Sequence, residues 1–333
     1  MKNIFAARVE NLDYRQFGQF GWLADPYLNF HLVKNKATDL YYAKLKALGV
    51  DDSRIFTTLA SAYGALTSNQ EDWLFVYPGD HVQTASLTWA KHNTNIQGMG
   101  SKNQRHQPST LTTGAVRISC VTAAIANILN ITGKYVQMFD IGTFNSAANT
   151  GNLTDIVVAG RNFYAERCAF RGGNNATQVG NALAGIPVTL ITDAYASKWA
   201  DCEFGSAGQT TRTTGPGFMR FAAASGGMHR FDRCMFQMRS ETSGDDVSGF
   251  TVEENALDRL TIFNNCAFYN FSENWGALPD HMFKISQTST FDILLQGGCG
   301  MVGFDTLSDN AHVKSSDPLP HTNAVEALAV ATA

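Results

Sequence analysis

Five of the six cysteines recur inside one short motif at a nearly constant interval, and that interval constrains the fold more than anything else in the chain. The copies are Ala165-Glu166-Arg167-Cys168-Ala169-Phe170, Trp199-Ala200-Asp201-Cys202-Glu203-Phe204, Phe231-Asp232-Arg233-Cys234-Met235-Phe236 and Phe263-Asn264-Asn265-Cys266-Ala267-Phe268, with a degenerate fifth around Cys299. Successive cysteines lie 34, 32, 32 and 33 residues apart. A period in that range marks a stacked repeat, whose units cannot bury an apolar face alone and do so against their neighbours.

Within each unit the apolar residues alternate. Cys234 and Phe236 share one side of an extended segment while Met235 takes the other, and Cys266 and Phe268 flank Ala267 in the same way. That is strand spacing. The pair before each cysteine (Glu166-Arg167, Ala200-Asp201, Asp232-Arg233, Asn264-Asn265, Gly297-Gly298) is rich in types that tolerate a bend or a left-handed backbone, so a corner is expected there. A second alternation lies upstream in each unit: Val188 and Leu190, Met219 and Phe221, Phe250 and Val252, Phe283 and Ile285. Two or three short strands per turn, joined by corners and one longer loop, describe a parallel β-helix. Helical repeats of similar length would need amphipathic stretches of ten or more residues. Gly, Ser, Thr and Asn break the repeat region too often for that, as in 205–217 and 240–249.

A solenoid is one elongated unit whatever its length, so 333 residues do not imply two domains. With 44% apolar and 16% charged residues the chain can build a core and is not of disordered composition. A formal charge of −4 with no basic run argues against a nucleic-acid groove. No apolar run reaches the ~20 residues of a membrane span. The opening residues Met1 to Arg8 become charged before an apolar stretch develops, so no signal peptide is expected.

In a β-helix, equivalent positions stack about 4.8 Å apart and point inward. Cys168, Cys202, Cys234, Cys266 and Cys299, with Phe170, Phe204, Phe236 and Phe268, are therefore expected as a core ladder of reduced thiols and rings. No C-x-x-C pair and no Cys/His spacing points to zinc, and no phosphate loop or dinucleotide motif points to a cofactor.

After Asp51-Asp52-Ser53, residues Ile55, Phe56, Leu59, Tyr63 and Leu66 space their apolar groups for one helical face, which predicts a capping helix at about 54–66. Arg54-Ile55-Phe56-Thr57-Thr58-Leu59, then Leu74-Phe75-Val76-Tyr77-Pro78-Gly79-Asp80, then Asn95-Ile96-Gln97-Gly98-Met99-Gly100 resembles the opening of pectate-lyase-like right-handed β-helix proteins, pectin methylesterases among them. The asparagine-rich corner followed by Cys-x-Phe resembles their coils as well. The resemblance spans roughly residues 54 to 305 and implies a single right-handed parallel β-helix with an N-terminal capping helix. It implies little about activity, because the architecture serves lyases, hydrolases, esterases, adhesins and the spikes and coat proteins of bacteriophages.

Acid–base cleavage of a polysaccharide needs carboxylates, alone or with Arg or Lys, converging on one strand face in neighbouring coils. Asp245 and Asp246 resemble the paired aspartates of polygalacturonases, but the companion motifs are absent, and a solvated loop pair is the preferred reading. A methylesterase would need an Asp in a short apolar strand near a Gln and an Arg. Met138-Phe139-Asp140-Ile141-Gly142 supplies the frame without a second Asp motif, so Asp140 is read as a corner or inter-coil acceptor. Of Glu253 and Glu254 only one could line a groove beside Asp232, since neighbours on a strand face opposite ways. Position minus one to the cysteines reads Arg167, Asp201, Arg233, Asn265, an exposed charge ladder that would fix register between coils. The polar loops 171–187, 205–217, 237–249 and 269–280 are expected on one side, with Tyr269, Phe271 and Trp275 as candidate glycan or protein contacts.

The chain thus divides into an N-terminal arm or assembly segment (1–50, with a helix near 37–48), the β-helix (51–314) and a C-terminal tail (315–333) whose apolar end suits docking on a partner. With no catalytic constellation in view, the resemblance implies as first expectation a non-catalytic bacteriophage virion protein. It would be a capsid decoration or tail-associated subunit, made in the host cytoplasm, homotrimeric, and bound to other virion proteins such as the major capsid protein, with a host surface glycan as a further partner. The alternatives are a polysaccharide lyase or hydrolase (a depolymerase), and a glycan-binding adhesin, on the same fold.

Overall fold

The computed structural model describes residues 29–100, 115–120, 125–145, 151, 153–172, 176–205, 211–271, 277–286 and 291–316. One coil shows the plan. Strand Lys198–Ala200 turns a corner into Glu203–Gly205, the chain next forms strand Gly215–Phe221, and a turn returns it to Arg230–Asp232, beside where the coil began. Repetition builds three parallel sheets of 11, 8 and 8 strands among the described residues. The molecule is a right-handed parallel β-helix, the hand that crossovers between parallel strands take.

The 11-stranded sheet runs the length of the coil, and its inward column passes Ala165, Trp199, Phe231, Phe263 and Leu295 in direct register. In the second sheet Phe170, Phe204, Phe236, Phe268 and Met301 are opposite one another. In the third the column is Ile156, Val188, Met219, Phe250 and Phe283. The rings stack face to face: Phe204 on Phe236 at 4.6 Å, Phe231 on Phe263 at 4.6 Å, Phe250 on Phe283 at 4.5 Å. All six cysteines are buried and free. Each ladder thiol also donates to a carbonyl of the preceding coil: Cys168 to Met138 (3.4 Å), Cys202 to Ala165 (3.5 Å), Cys234 to Trp199 (3.6 Å), Cys266 to Phe231 (3.4 Å) and Cys299 to Phe263 (3.5 Å). A valine could fill that space but not make that bond.

The corner before Cys168, Cys202, Cys234 and Cys266, and the equivalent corner before Ile141, is one residue in the left-handed region. Asp140, Arg167, Asp201, Arg233 and Asn265 have φ of 53°, 53°, 52°, 53° and 53°. Asp and Asn take that conformation at low cost; Arg167 and Arg233 do not, and are held there by the coils on either side. The amide of each corner residue bonds forward to the next coil, as from Arg167 to the Ala200 carbonyl at 2.9 Å, so the ladder continues through the bend.

Three sequence expectations need correction. The helix expected over 54–66 is shorter: Ile55–Phe56 is a strand beside Asn29–Leu32, and helix Leu59–Ala65 begins only after Thr58, whose hydroxyl accepts from the Ser61 amide at 3.2 Å. The β-forming pair Ile55-Phe56 gains a sheet edge that the helical spacing did not reveal. Strand Asn29–Leu32, inside the segment read as an arm, pairs parallel with Trp73–Val76, and helix Leu40–Ala47 follows it. The long polar loops are partly strand: Gly244–Val252 and Pro279–Ile285 extend the third sheet into two of them. The tail from residue 317 onward lies outside the described residues.

Candidate active site on the outer face of the long sheet

Alternation in the long sheet turns every second residue outward. One outward column reads Trp73, Asn95, Gln137, Tyr164, Lys198, Arg230, and the next reads Phe75, Gln97, Phe139, Glu166, Ala200, Asp232, Asn264. Toward the N-terminal end this face is covered. Helix Leu40–Ala47 sets Leu45 into a second apolar cluster with Val33, Ile55, Trp73, Phe75, Tyr77, Met99 and Phe139. Where the helix stops, the aromatic row (Trp73 on Phe139 at 5.8 Å, Phe139 against Tyr164 at 5.7 Å) passes into charged residues.

The charged cluster centres on Arg167. Its guanidinium donates to both oxygens of Asp140, Nε to Oδ1 and Nη2 to Oδ2, each at 2.9 Å, and Nη1 reaches Glu166 Oε1. The Gln97 amide donates to Asp140 Oδ2 at 3.1 Å, and the Tyr164 hydroxyl donates to Glu166 Oε2 at 2.8 Å. Lys198, one coil on, places its ammonium 5.8 Å from the centre of the Tyr164 ring. Burial raises the Tyr164 phenol above its ordinary pKa. Side-chain exposure separates the two carboxylates: Asp140 is 4% exposed and held by three donors, whereas Glu166 is 26% exposed and Arg167 21%. Asp140 is a structural clamp, and Glu166 is the carboxylate that a ligand can reach. Further along, Asp232 accepts from Arg230 at 2.8 Å and Asn264 at 3.0 Å. Burial alone would push its carboxyl up, but those hydrogen bonds outweigh it and hold the group below its ordinary value.

Asp140, Glu166, Arg167 and Lys198 thus converge on one face in neighbouring coils, the arrangement acid–base cleavage requires. The sequence marks Asp140 as a corner acceptor without a second Asp motif and Arg167 as a rung of the charge ladder; the fold adds Gln97, Glu166 and Lys198 to them. The signal lay in the period. The residue two before each ladder cysteine faces outward, so Glu166 and Asp232 share a column, but the coil from Ile141 to Cys168 is shorter than its successors and breaks the count at Asp140.

The other candidates lie elsewhere. Asp245 and Asp246 are exposed on strand Gly244–Val252 of the third sheet rather than in a loop. Glu253 does not join Asp232: it follows that same strand and pairs with Arg220 (Nε to Oε1, 2.6 Å), and Glu254 lies in the turn after it. The rungs of the charge ladder pair as Arg167 with Asp140 and Arg233 with Asp201, so Asp140 is its lower member. Tyr269, on strand Ala267–Asn270 of the second sheet, and the exposed Phe271 just past it pack together at 5.7 Å, and Trp275 lies outside the described residues. Among the described residues, the one group of three metal-ligating side chains within 4.8 Å of one another is Asp245, Asp280 and His281.

The fold belongs to a known class. The chain has the parallel β-helix of the pectate-lyase-like proteins. It superposes on a pectin methylesterase mutant in complex with a hexasaccharide (TM-score 0.51, 14% identity, 87% of this chain and 81% of that chain) and on a pectin methylesterase in complex with a second hexasaccharide (0.52, 13%, 87% and 81%). Pectate lyase Pel9A also aligns (0.45, 8%, 86% and 78%). At these identities the likeness is one of fold. No protein-family model and no curated protein matches the sequence.

Proposed function

We propose that the chain is a polysaccharide-cleaving lyase or hydrolase, which binds a glycan along the outer face of the long sheet and works on it at Glu166. The observation that carries this reading is the cluster itself. An accessible carboxylate, a guanidinium fixed in place from behind by Asp140 and Gln97, and a lysine one rung away lie beside a row of aromatic rings. In the proposed reaction Glu166 exchanges the proton with substrate. Arg167 and Lys198 stabilise the negative charge that develops, and Tyr164, through its hydroxyl on Glu166, orients the carboxylate. Asp140 and Gln97 are positioning residues. Tyr164, half-buried at the edge of the covered cluster, offers ring surface on which a sugar stacks. A glycan laid along the axis meets a new rung about every 4.8 Å.

The structural neighbours that hold hexasaccharides support a glycan on this fold, and they favour this reading over a virion role. The bacteriophage, capsid and homotrimer expectations rest on the sequence alone. The test is sugar release from a panel of bacterial capsular and plant cell-wall polysaccharides. A double bond seen by ultraviolet absorbance identifies elimination, and new reducing ends without it identify hydrolysis. Glu166→Gln is expected to lower the rate by about 10²–10⁴-fold, with Asp246→Asn unchanged. No release by the wild-type chain from any member of the panel overturns the proposal and returns the adhesin and virion readings to the front.

A further inference from the structure

Strand Gly244–Val252 pairs with Pro279–Ile285, but the register shifts between Gly244 opposite Pro279 and Ser248 opposite His281. The extra length on the first strand is an irregularity of the kind that re-aims side chains. Here it sends Asp245 toward His281, with Nε2 3.3 Å from Oδ1, while the Gly244 amide donates to Asp280 Oδ1 at 2.9 Å and fixes that carboxylate beside them. One donor atom from each of Asp245, Asp280 and His281 lies within 4.8 Å of the other two.

The hydrogen bonds behind the imidazole decide its tautomer. Thr306 Oγ1 donates its single proton to the Asp280 carbonyl at 2.8 Å, so toward His281 Nδ1, 2.6 Å away, it can only accept. The proton therefore sits on Nδ1, and in the neutral ring Nε2 presents a lone pair to the Asp245 carboxylate. Two lone pairs at 3.3 Å repel unless a proton or a metal ion lies between them. Two donors bound 2.0–2.2 Å from a tetrahedral ion stand about 3.3–3.6 Å apart, which is the separation found. An outer hydrogen bond that orients a histidine by its other nitrogen is the usual support of a metal ligand. Lys284 opposes a cation, but its ammonium rests on the Asp245 carbonyl oxygen rather than the carboxylate.

We propose that Asp245, Asp280 and His281 bind one divalent ion of the zinc, nickel or copper class on the outer face of the third sheet. An imidazole with two carboxylates selects such ions over calcium or magnesium, which take all-oxygen sites. Three protein ligands leave at least one position for water or a glycan oxygen. The site is on a different sheet from Glu166, and the proposal stands whatever becomes of that reading.

The experiment is calorimetric titration of the chelator-treated full chain with zinc chloride, and separately with calcium chloride. One zinc per chain is expected, with calcium at least tenfold weaker. His281→Gln and Asp245→Asn should each weaken zinc at least tenfold, Asp246→Asn should not, and circular dichroism checks that every variant folds. Cobalt in place of zinc should give visible ligand-field bands that disappear in His281→Gln. No stoichiometric zinc uptake, or uptake that survives His281→Gln, overturns the proposal and leaves an imidazolium–carboxylate pair in its place.

Discussion

Arg167 grips Asp140 through two parallel hydrogen bonds of 2.9 Å across one rung of the coil, and two coils later Arg233 grips Asp201 in the same way, at 2.9 and 2.8 Å. The geometry is repeated but the setting is not. The first pair is 21% and 4% exposed, the second 54% and 39%. Water screens the second, which is worth at most about 1 kcal/mol. The first is nearly dry, and removing one partner strands a charge beside Glu166. Double-mutant cycles should give a coupling for Asp140 with Arg167 of about 1–3 kcal/mol, clearly above that for Asp201 with Arg233. Equal couplings would show that burial does not separate the two pairs. Asp140→Asn should also reduce turnover more than it weakens glycan binding, because it loosens Arg167 and leaves the Tyr164 ring in place.

The aromatic columns predict where the solenoid is most easily broken. Phe236 is fully buried and sandwiched between Phe204 at 4.6 Å and Phe268 at 5.1 Å. Phe236→Ala should cost about 3–5 kcal/mol, the transfer term plus a cavity that rigid neighbouring rungs cannot collapse, and Phe236→Leu clearly less. Urea unfolding of the two variants measures this; a loss under 1 kcal/mol for the alanine would mean that the coil slides to refill the gap.

The thiols give a chemical check. Burial pushes the Cys168 and Cys234 thiols well above the ordinary value, so little thiolate forms. All six thiols are buried, so all six should resist an aromatic disulfide reagent in the native protein and react fully in denaturant without prior reduction. Fewer than six on denaturation would require a disulfide.

The solenoid was legible because its core repeats. Cys-x-Phe and the second alternation, Val188 through Ile285, marked two of the three sheets, and the polar pairs marked the left-handed corner. The N-terminal end was less legible, since Ile55 and Phe56 satisfy both a helical face and a strand, and the choice is made by the edge of Asn29–Leu32, which no local pattern announces. The site was hidden for a related reason. Gln97, Asp140, Glu166 and Lys198 come from four coils of unequal length, and only the stacking of those coils makes them neighbours. The thiol-to-carbonyl bonds, which explain why cysteine and not valine fills the column, also need the previous coil to be in place.

Stability should fall as the solution is acidified, and the sign follows from three buried groups. Burial holds His31 and His229 down at about 4, below the 6.5 of an unfolded histidine, so each contributes stability that is complete above 6.5 and is lost as pH falls toward 4. Asp155 works the other way. Burial raises it to about 6 from 3.8, against hydrogen bonds from the Gly172 amide, the Thr143 hydroxyl and the Asn145 and Arg171 amides, so its contribution is complete below 3.8 and lost as pH rises through 6. Two groups against one leave a net loss between pH 6.5 and 4, of about 1.4 kcal/mol per pH unit at most from this trio. His229 lies between the Ser197 hydroxyl (Nδ1 to Oγ, 2.8 Å) and the Phe221 ring, and His229→Gln removes one of the two opposing titrations. Urea midpoints taken from pH 7 to pH 4 should therefore slope less steeply in His229→Gln than in the wild type, whatever the variant costs at pH 7. An unchanged slope would show that His229 is already protonated in the folded chain, or that water reaches it.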